Sequence, residues 1–594
     1  MSASRSAIGP RRRRGLTPAQ AVLTVALITA LAAYLRLTHL DVNPSWDGDE
    51  GYNLNIAANL AAGHVRMFAL RFAFVQHPPL FFVLGAAARR LFGSDLVALR
   101  AVAVAGGLTV PALLALAGRA LGNTHAGLLA AGVFAISPQI VIQNRFAYTY
   151  NLLMPLTAAV MVLLLTLVRR GMRSLPIEAP PAAERAATGA HKGRPYTPQG
   201  LGSRTARGGR REWCLLTGAA LLTGLALATD QEGLYLLPPL LVVAFGWARR
   251  RGLAMALVLA TLPSALYIGW MLALRPAAFL FDVGHTAGRV GGGSPLVQLY
   301  LLAYNFAALL RFDPWIPLGL AGLVLARQPR QRGLLLAMVA CLLLVVLKVR
   351  TPNPLFRTAE PLWPFVALGL GLAGEALARR LAATVAALLP PSWPGATWGR
   401  AVVLLTLAPL ALVTTVDTLA AARGRFTTPI ESSLPRSPAA ARAMAAWINS
   451  HSQLTDLVLA MPQISWLLHC RTAELLQAVA ITGAGTAFYP AGLSSDRWAY
   501  DARPRAARYL VVDDFTRAWI RENRAERAIV QSARARWPMV YQGGEYTVYA
   551  NPLYRRFRLA QLAPPVPSRS YRRSRLVRVA QLAAAPGRPR PGVR

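Results

Sequence analysis

Blocks of about 20 apolar residues recur along this chain from Ala19 to about Thr418 and then stop. Each is long enough to cross a hydrocarbon core of roughly 30 Å as a helix. Runs at 19–40, 95–118, 126–143, 151–168, 213–229, 234–248, 252–274, 313–326, 333–347, 362–378 and 401–418 predict eleven spans. With 54% hydrophobic and 15% charged residues in 594, little polar surface is left for several soluble domains, so the bilayer is the main solvent.

The formal net charge of +39 would suggest nucleic acid if the cations shared one soluble face. Most of them instead sit in short clusters between apolar blocks, which is the pattern of positive-inside topology. No basic domain with base-stacking aromatics is visible, so a nucleic-acid partner is not expected. Cys214 and Cys341 fall in apolar blocks and Cys470 stands alone, so neither a disulfide framework nor zinc spacing can be built. The run Ala19 to Leu40 follows Arg11–Arg14 and lacks a small-residue cleavage site, so it reads as a retained first helix.

The apolar stretch His77 to Phe92 decides the topology of everything downstream. If it does not cross, Arg169–Arg170, Arg249–Arg251, Arg327–Arg332 and Arg379–Arg380 share the side of Arg11–Arg14, as the positive-inside bias demands. It is therefore expected to lie in the outer interface. The loops 41–55, 275–300 and 348–361, the Asp230-Gln231-Glu232 turn and all residues after Thr418 then share the extracytoplasmic face.

Five regions follow: a basic cytoplasmic N-terminus at 1–18, a membrane domain at 19–418, a disordered Pro/Gly/Arg-rich cytoplasmic loop at 169–212 within it, a small extracytoplasmic α/β domain at 437–552, and a basic disordered tail at 555–594. The α/β reading rests on short alternating segments such as ARAMAAWINSH, LVLAM, YLVVDD and EYTVYA. The fold class expected is an α-helical polytopic membrane protein with that domain appended.

Chemistry is sought first in WDGDEGYN, residues 46–53, just past the first helix. Asp47, Asp49 and Glu50 could simply cap a helix starting near Gly51. The same face, however, carries His77, Arg145 and Arg357. A carboxylate aligned with an acceptor hydroxyl can act as general base, and Arg forks can hold a phosphate and stabilise its leaving charge. Arg36, near the outer end of the first helix, reads as a snorkelling cation or a phosphate ligand. Trp46, Tyr52 and Trp363 read as an interfacial aromatic belt. His285, Arg289 and the run GGGS mark the loop 275–300 as a lid or an ordinary flexible loop. His469-Cys470 and Asp513-Asp514 lack partners at metal or nucleophile spacing.

Asp49-Glu50 followed by Tyr52, HPPL at His77 to Leu80, and SPQIVIQNR ending at Arg145 together resemble the GT-C glycosyltransferases. The likeness is nearest to the bacterial form of the protein O-mannosyltransferase and aminoarabinose transferase group. It covers about residues 20–420 in topology and is specific over 36–160. It implies transfer of a sugar, with inversion, from a polyprenyl-phosphate donor to a lipid, protein or glycan hydroxyl at the outer face of the plasma membrane. Asp49 would be the general base and Glu50 would orient the loop or acceptor. Arg145 and Arg357 would lie near the carrier phosphate, with His77 lining the same cavity. Two departures stand out. Tyr150 replaces an acid five places after Arg145, and ATDQEG puts Asp230 and Glu232 where relatives carry a Lys. They leave room for a divalent metal at an acidic site. A secondary transporter is the rival reading, but its polar residues would gather near the midplane in two matching halves, and no internal repeat is present.

Overall fold

The computed structural model describes residues 16–71, 78–93, 95–173, 209–291, 294–347, 358–388, 395–423, 437–486 and 488–554. His77, Arg357, the N-terminal arginines, most of the 169–212 loop and the basic tail lie outside them.

Helix α1 spans Pro18–Leu37, opened by a Thr17 and Gln20 capping box with Pro at the first helical position. Helix α2 spans Gly48–Ala61 and the hairpin strands β1 and β2 are Arg66–Met67 and Leu70–Arg71. Helix α3 is Leu80–Phe92. At 1.5 Å per residue its 13 residues reach about 20 Å, short of a crossing. It closes on Gly93 at φ 66, a left-handed cap that glycine adopts without a Cβ penalty.

The apolar blocks then follow as α4 (Asp95–Ala120), the bent pair α5 (Thr124–Ile136) and α6 (Pro138–Asn144), and α7 (Tyr150–Arg173). Further helices run over Arg210–Thr229, Leu237–Leu274, Pro276–Gly291, Pro295–Phe312, Trp315–Gly322, Pro329–Val346, Trp363–Leu388 and Gly395–Arg423. Among the described residues seven helices are long and apolar enough to cross a membrane, or nine if each of two bent pairs is one span. The sequence reading of eleven divides these segments differently. The runs 234–248 and 252–274 join in one helical segment broken at Ala248 and Arg249, where Arg249 has φ 50. The run 126–143 bends by 65° at Ser137-Pro138, since the residue before a proline is driven out of the α region.

Two sequence boundaries move. Residues 169–173 and 210–212, assigned above to a disordered loop, are helical ends of α7 and of Arg210–Thr229. The loop 275–300 contains the helices Pro276–Gly291 and Pro295–Phe312. Pro276–Gly291 is tied down by a bidentate pair from Arg497 to Asp282 at 3.0 and 2.8 Å.

Beyond Ser437 the chain forms a mixed five-stranded sheet in the order β4-β3-β5-β7-β6. Its strands are β3 Leu457–Leu459, β4 Arg471–Ala473, β5 Ala507–Val512, β6 Met539–Gly543 and β7 Tyr546–Ala550. The first three are parallel and the β5-β7-β6 part is antiparallel. Val458, Val511 and Val548 from this sheet share one apolar core with Trp46, Leu54, Phe68, Phe81 and Phe82. The sheet region thus sits on α2 and the β1-β2 hairpin, in a core that α3 also joins. Ala499 N–H completes the join by donating to Ala69 carbonyl at 2.8 Å.

Gly51 shows how close that contact is. A Cβ there would stand 2.0 Å from the Pro462 carbonyl oxygen, so backbone itself would have to move. Gly51→Ala should therefore loosen the sheet region from α2 and destabilise the protein by about 1–3 kcal/mol, the usual cost of overpacking. A thermal unfolding midpoint equal to that of the parent protein would contradict this.

Candidate active site

The three carboxylates of residues 47–50 have separate tasks. Asp47 is the N-cap of α2, its Oδ1 accepting from Asp49 N–H at 2.9 Å. The helix accordingly begins at Gly48, three residues earlier than the sequence suggested. Glu50 closes the capping box by accepting from Asp47 N–H at 3.1 Å. Asp47→Ala should cost about 0.5–2 kcal/mol, the range of N-cap losses, read as a lowered unfolding midpoint; full retention of stability would show the cap to be dispensable.

Glu50 is fully buried in an ion pair with Arg100. Arg100 Nε and Nη2 donate to its two oxygens at 2.8 and 2.7 Å, and Ala147 N–H donates to Oε1 at 2.7 Å. Arg100 also donates to the Leu40 and Pro44 carbonyls at 2.7 and 3.0 Å. This pair fixes the whole turn from Leu40 to Glu50 against α4. Asp49, by contrast, is half-buried in the first turn of α2. Tyr52 lies one helical turn on, at i+3 on the same side.

Arg145 is buried at the end of α6. Its guanidinium donates to the Asn43 carbonyl at 2.8 Å, to Leu35 carbonyl at 2.8 Å and to Thr38 carbonyl. These are the backbone acceptors at the end of α1 and in the loop after it, so Arg145 braces the acidic loop from below. Arg36 is not a snorkelling cation. It is buried and donates to Asn144 Oδ1 and to the Phe134 and Ala135 carbonyls, each at 3.0 Å. The break between α5 and α6 exposes carbonyls that a helix cannot use internally, and the guanidinium satisfies them.

Trp46 likewise is no belt residue. It is buried, donates Nε1–H to Asp41 carbonyl at 3.0 Å, and meets Trp466 edge to face at 5.1 Å. Trp363 too is buried. At the Asp230 turn, Oδ1 accepts from Glu232 N–H at 3.0 Å and Oδ2 from Thr149 hydroxyl at 2.7 Å. Asp230 thus meets the chain at Thr149, one residue before Tyr150. His285 is partly buried in the helix Pro276–Gly291, and Asp513 caps the helix Asp514–Glu522 by accepting from Thr516 N–H at 2.7 Å. Among the described residues no three His, Cys, Asp or Glu side chains converge so as to hold a metal ion.

Residues 76–177 match the family described as dolichyl-phosphate-mannose-protein mannosyltransferase. The whole fold is similar to the crystal structure of ArnT from Cupriavidus metallidurans bound to undecaprenyl phosphate, with TM-score 0.54, 15% identity, and coverage of 90% of this chain and 98% of that one. The chain has the GT-C glycosyltransferase fold.

The oligosaccharyltransferase AglB from Archaeoglobus fulgidus shares that GT-C fold with TM-score 0.53 and 13% identity, over 92% of this chain and 75% of that one. No curated protein sequence gives a significant match. Helices α3 to α7, which carry Arg100 and Arg145, lie inside the segment matching the mannosyltransferase family. Arg100 is the residue that sequence reasoning missed. Its signal was a single cation inside the apolar run 95–118, a placement that in a membrane helix calls for a named partner.

Proposed function

We propose that this GT-C protein transfers a sugar from a polyprenyl-phosphate donor to an acceptor hydroxyl at the extracytoplasmic face of the membrane, inverting the anomeric carbon, with Asp49 as general base. The observation that carries the reading is the division of labour in the acidic loop. Asp47 caps α2 and Glu50 is locked to Arg100, while half-buried Asp49 stands in the first helical turn at the edge of the sheet region.

The proposed step is a single displacement. An acceptor oxygen attacks the anomeric carbon as its proton passes to an Asp49 carboxylate oxygen. The bond from that carbon to the phosphate oxygen breaks, and its electron pair leaves with the polyprenyl phosphate. The centre passes through an oxocarbenium-like state, the charge problem that carboxylate pairs solve in glycosidases. Arg100 and Arg145 hold the loop, and Arg357, with His77, is proposed from its place in the sequence to answer the departing phosphate. A lipid-linked donor is supported by the undecaprenyl phosphate in the C. metallidurans ArnT structure, which shares the fold. The multi-pass architecture and the Arg-rich ends of its helices support a plasma-membrane location with the N-terminus cytoplasmic and the sheet region outside.

The test is loss of product. Glycolipids and exported proteins from cells with and without the gene are compared by mass spectrometry, with an Asp49→Asn strain beside them. A glycan that vanishes in both the deletion and the Asn strain is expected. Identical glycan profiles in all three would overturn the assignment.

A further inference from the structure

Glu474 lies in the C-terminal sheet region, at the start of the short helix Leu475–Ala480, and is almost wholly buried. Its two oxygens face different parts of the molecule. One accepts from the hydroxyl of Tyr52 on α2, and the other from the hydroxyl of Tyr489 in its own region. Gln477, one turn later, works the same seam: its amide donates to the Met67 carbonyl at 3.0 Å, and its oxygen accepts from Ala69 N–H at 3.0 Å. Phe68 and Phe488 flank the Tyr52 ring at 5.8 and 6.5 Å.

A buried carboxylate is expensive to hold, and a sheet region needing only internal cohesion would be served as well by an apolar side chain. The oxygen that meets Tyr52 instead reaches out of its own fold to a residue one helical turn from Asp49. Gly51, between Asp49 and Tyr52, is the point where α2 touches the Pro462 backbone. The Tyr52 and Gly51 contacts constrain the same turn of α2, and Gln477 holds the hairpin that follows it.

We propose that Glu474 is a positioning residue for the Asp49 helix, holding α2 against the C-terminal sheet region through the hydroxyl of Tyr52. It does not meet the substrate; it sets where Asp49 stands. The placement of α2 is independent of any reaction, whereas its effect on turnover rests on the function proposed above.

Titration distinguishes this role from plain packing. Burial lifts Glu474 to about 7, the two tyrosine hydroxyls opposing the rise. The groups facing the seam are Tyr52 and Asp49 from α2, Tyr489 and Gln477 beside Glu474, and Glu526 from the helix Arg524–Arg536. A carboxyl whose value is raised on docking favours the docked state below its free value and loses that contribution as pH rises through about 7. The seam should therefore loosen as pH rises from about 4.5 to about 7 and change little above it.

Hydrogen–deuterium exchange on the full chain in detergent micelles, corrected for intrinsic rates, tests this over residues 48–61. Glu474→Ala should speed exchange there by about tenfold, the scale of a lost charged hydrogen bond. Glu474→Gln keeps an acceptor without a charge, so it should restore protection and remove the pH slope seen in the parent protein. If Glu474→Ala fails to fold, Tyr52→Phe removes only the α2 half of the contact and should raise exchange locally. Unchanged α2 protection in Tyr52→Phe, or a pH slope in Glu474→Gln equal to the parent's, would overturn the proposal. In transfer assays, Tyr52→Phe should lower kcat with KM for the lipid donor little changed. Full transfer by Asp49→Asn would sink the proposed function while leaving the exchange result to stand or fall by itself.

Discussion

Replacing Asp49 by Asn should reduce sugar transfer by about 10²–10⁴-fold, the usual contribution of a positioned general base, with the protein still inserted and folded. Asn keeps the shape of the side chain and lacks a basic oxygen. The cap of α2 is untouched, because Asp47 and Glu50 supply it. The fold should persist as well, since the Glu50–Arg100 pair sets the loop. Initial rates with a polyprenyl-phosphate sugar in membranes, normalised to the amount of folded protein, provide the measurement. Asp47→Ala should behave in the opposite sense, losing helix stability before it loses chemistry. Transfer by Asp49→Asn at the parent rate would remove Asp49 from the mechanism and send the search for a base elsewhere in the acidic loop.

Arg100→Met should be the most destabilising single change in the site, at about 3–5 kcal/mol, because it strands a buried carboxylate without a cation. Glu50 has no exposure through which water could compensate. The carbonyls of Leu40 and Pro44 would lose their donor at the same time, freeing the turn that carries Asp49. Adding Glu50→Gln to Arg100→Met should recover part of the loss, since a neutral amide can still accept from Ala147 N–H without needing a counter-charge. Thermal unfolding in detergent separates the cases: the single Arg100→Met variant should melt well below the double. A double variant no more stable than the single would mean that the charge of Glu50 is not what Arg100 answers.

Two buried arginines show why membrane charges are hard to read from a sequence. Arg36 and Arg145 both stand near the outer ends of apolar runs, where snorkelling or phosphate binding are natural readings. In the folded chain each is buried and donates to backbone carbonyls: those left open at the α5–α6 break, and those at the end of α1 and in the loop beyond it. Carbonyls left without helical partners create a demand for donors that no side-chain pattern records, because it arises from where the backbone stops being regular.

Length and hydropathy alone pointed to a bilayer and to an acidic loop after the first helix, and the placement of the Arg clusters argued that the stretch after His77 does not cross. The first two follow from periodicities of one helix and the thickness of one solvent, both local quantities. The order of Asp49-Glu50-Tyr52, HPPL and Arg145 also sufficed to point to the GT-C likeness. Only the tertiary structure gave Asp47 to the cap of α2 and Glu50 to Arg100. Asp47, Asp49 and Glu50 are chemically near-equivalent in sequence; they differ because Arg100 approaches from α4 and Glu474 approaches Tyr52 from more than four hundred residues away. Such long-range partners are selected by packing of apolar faces, as in the core shared by Trp46, Phe81 and Val458, and the polar groups take their roles from where that packing leaves them.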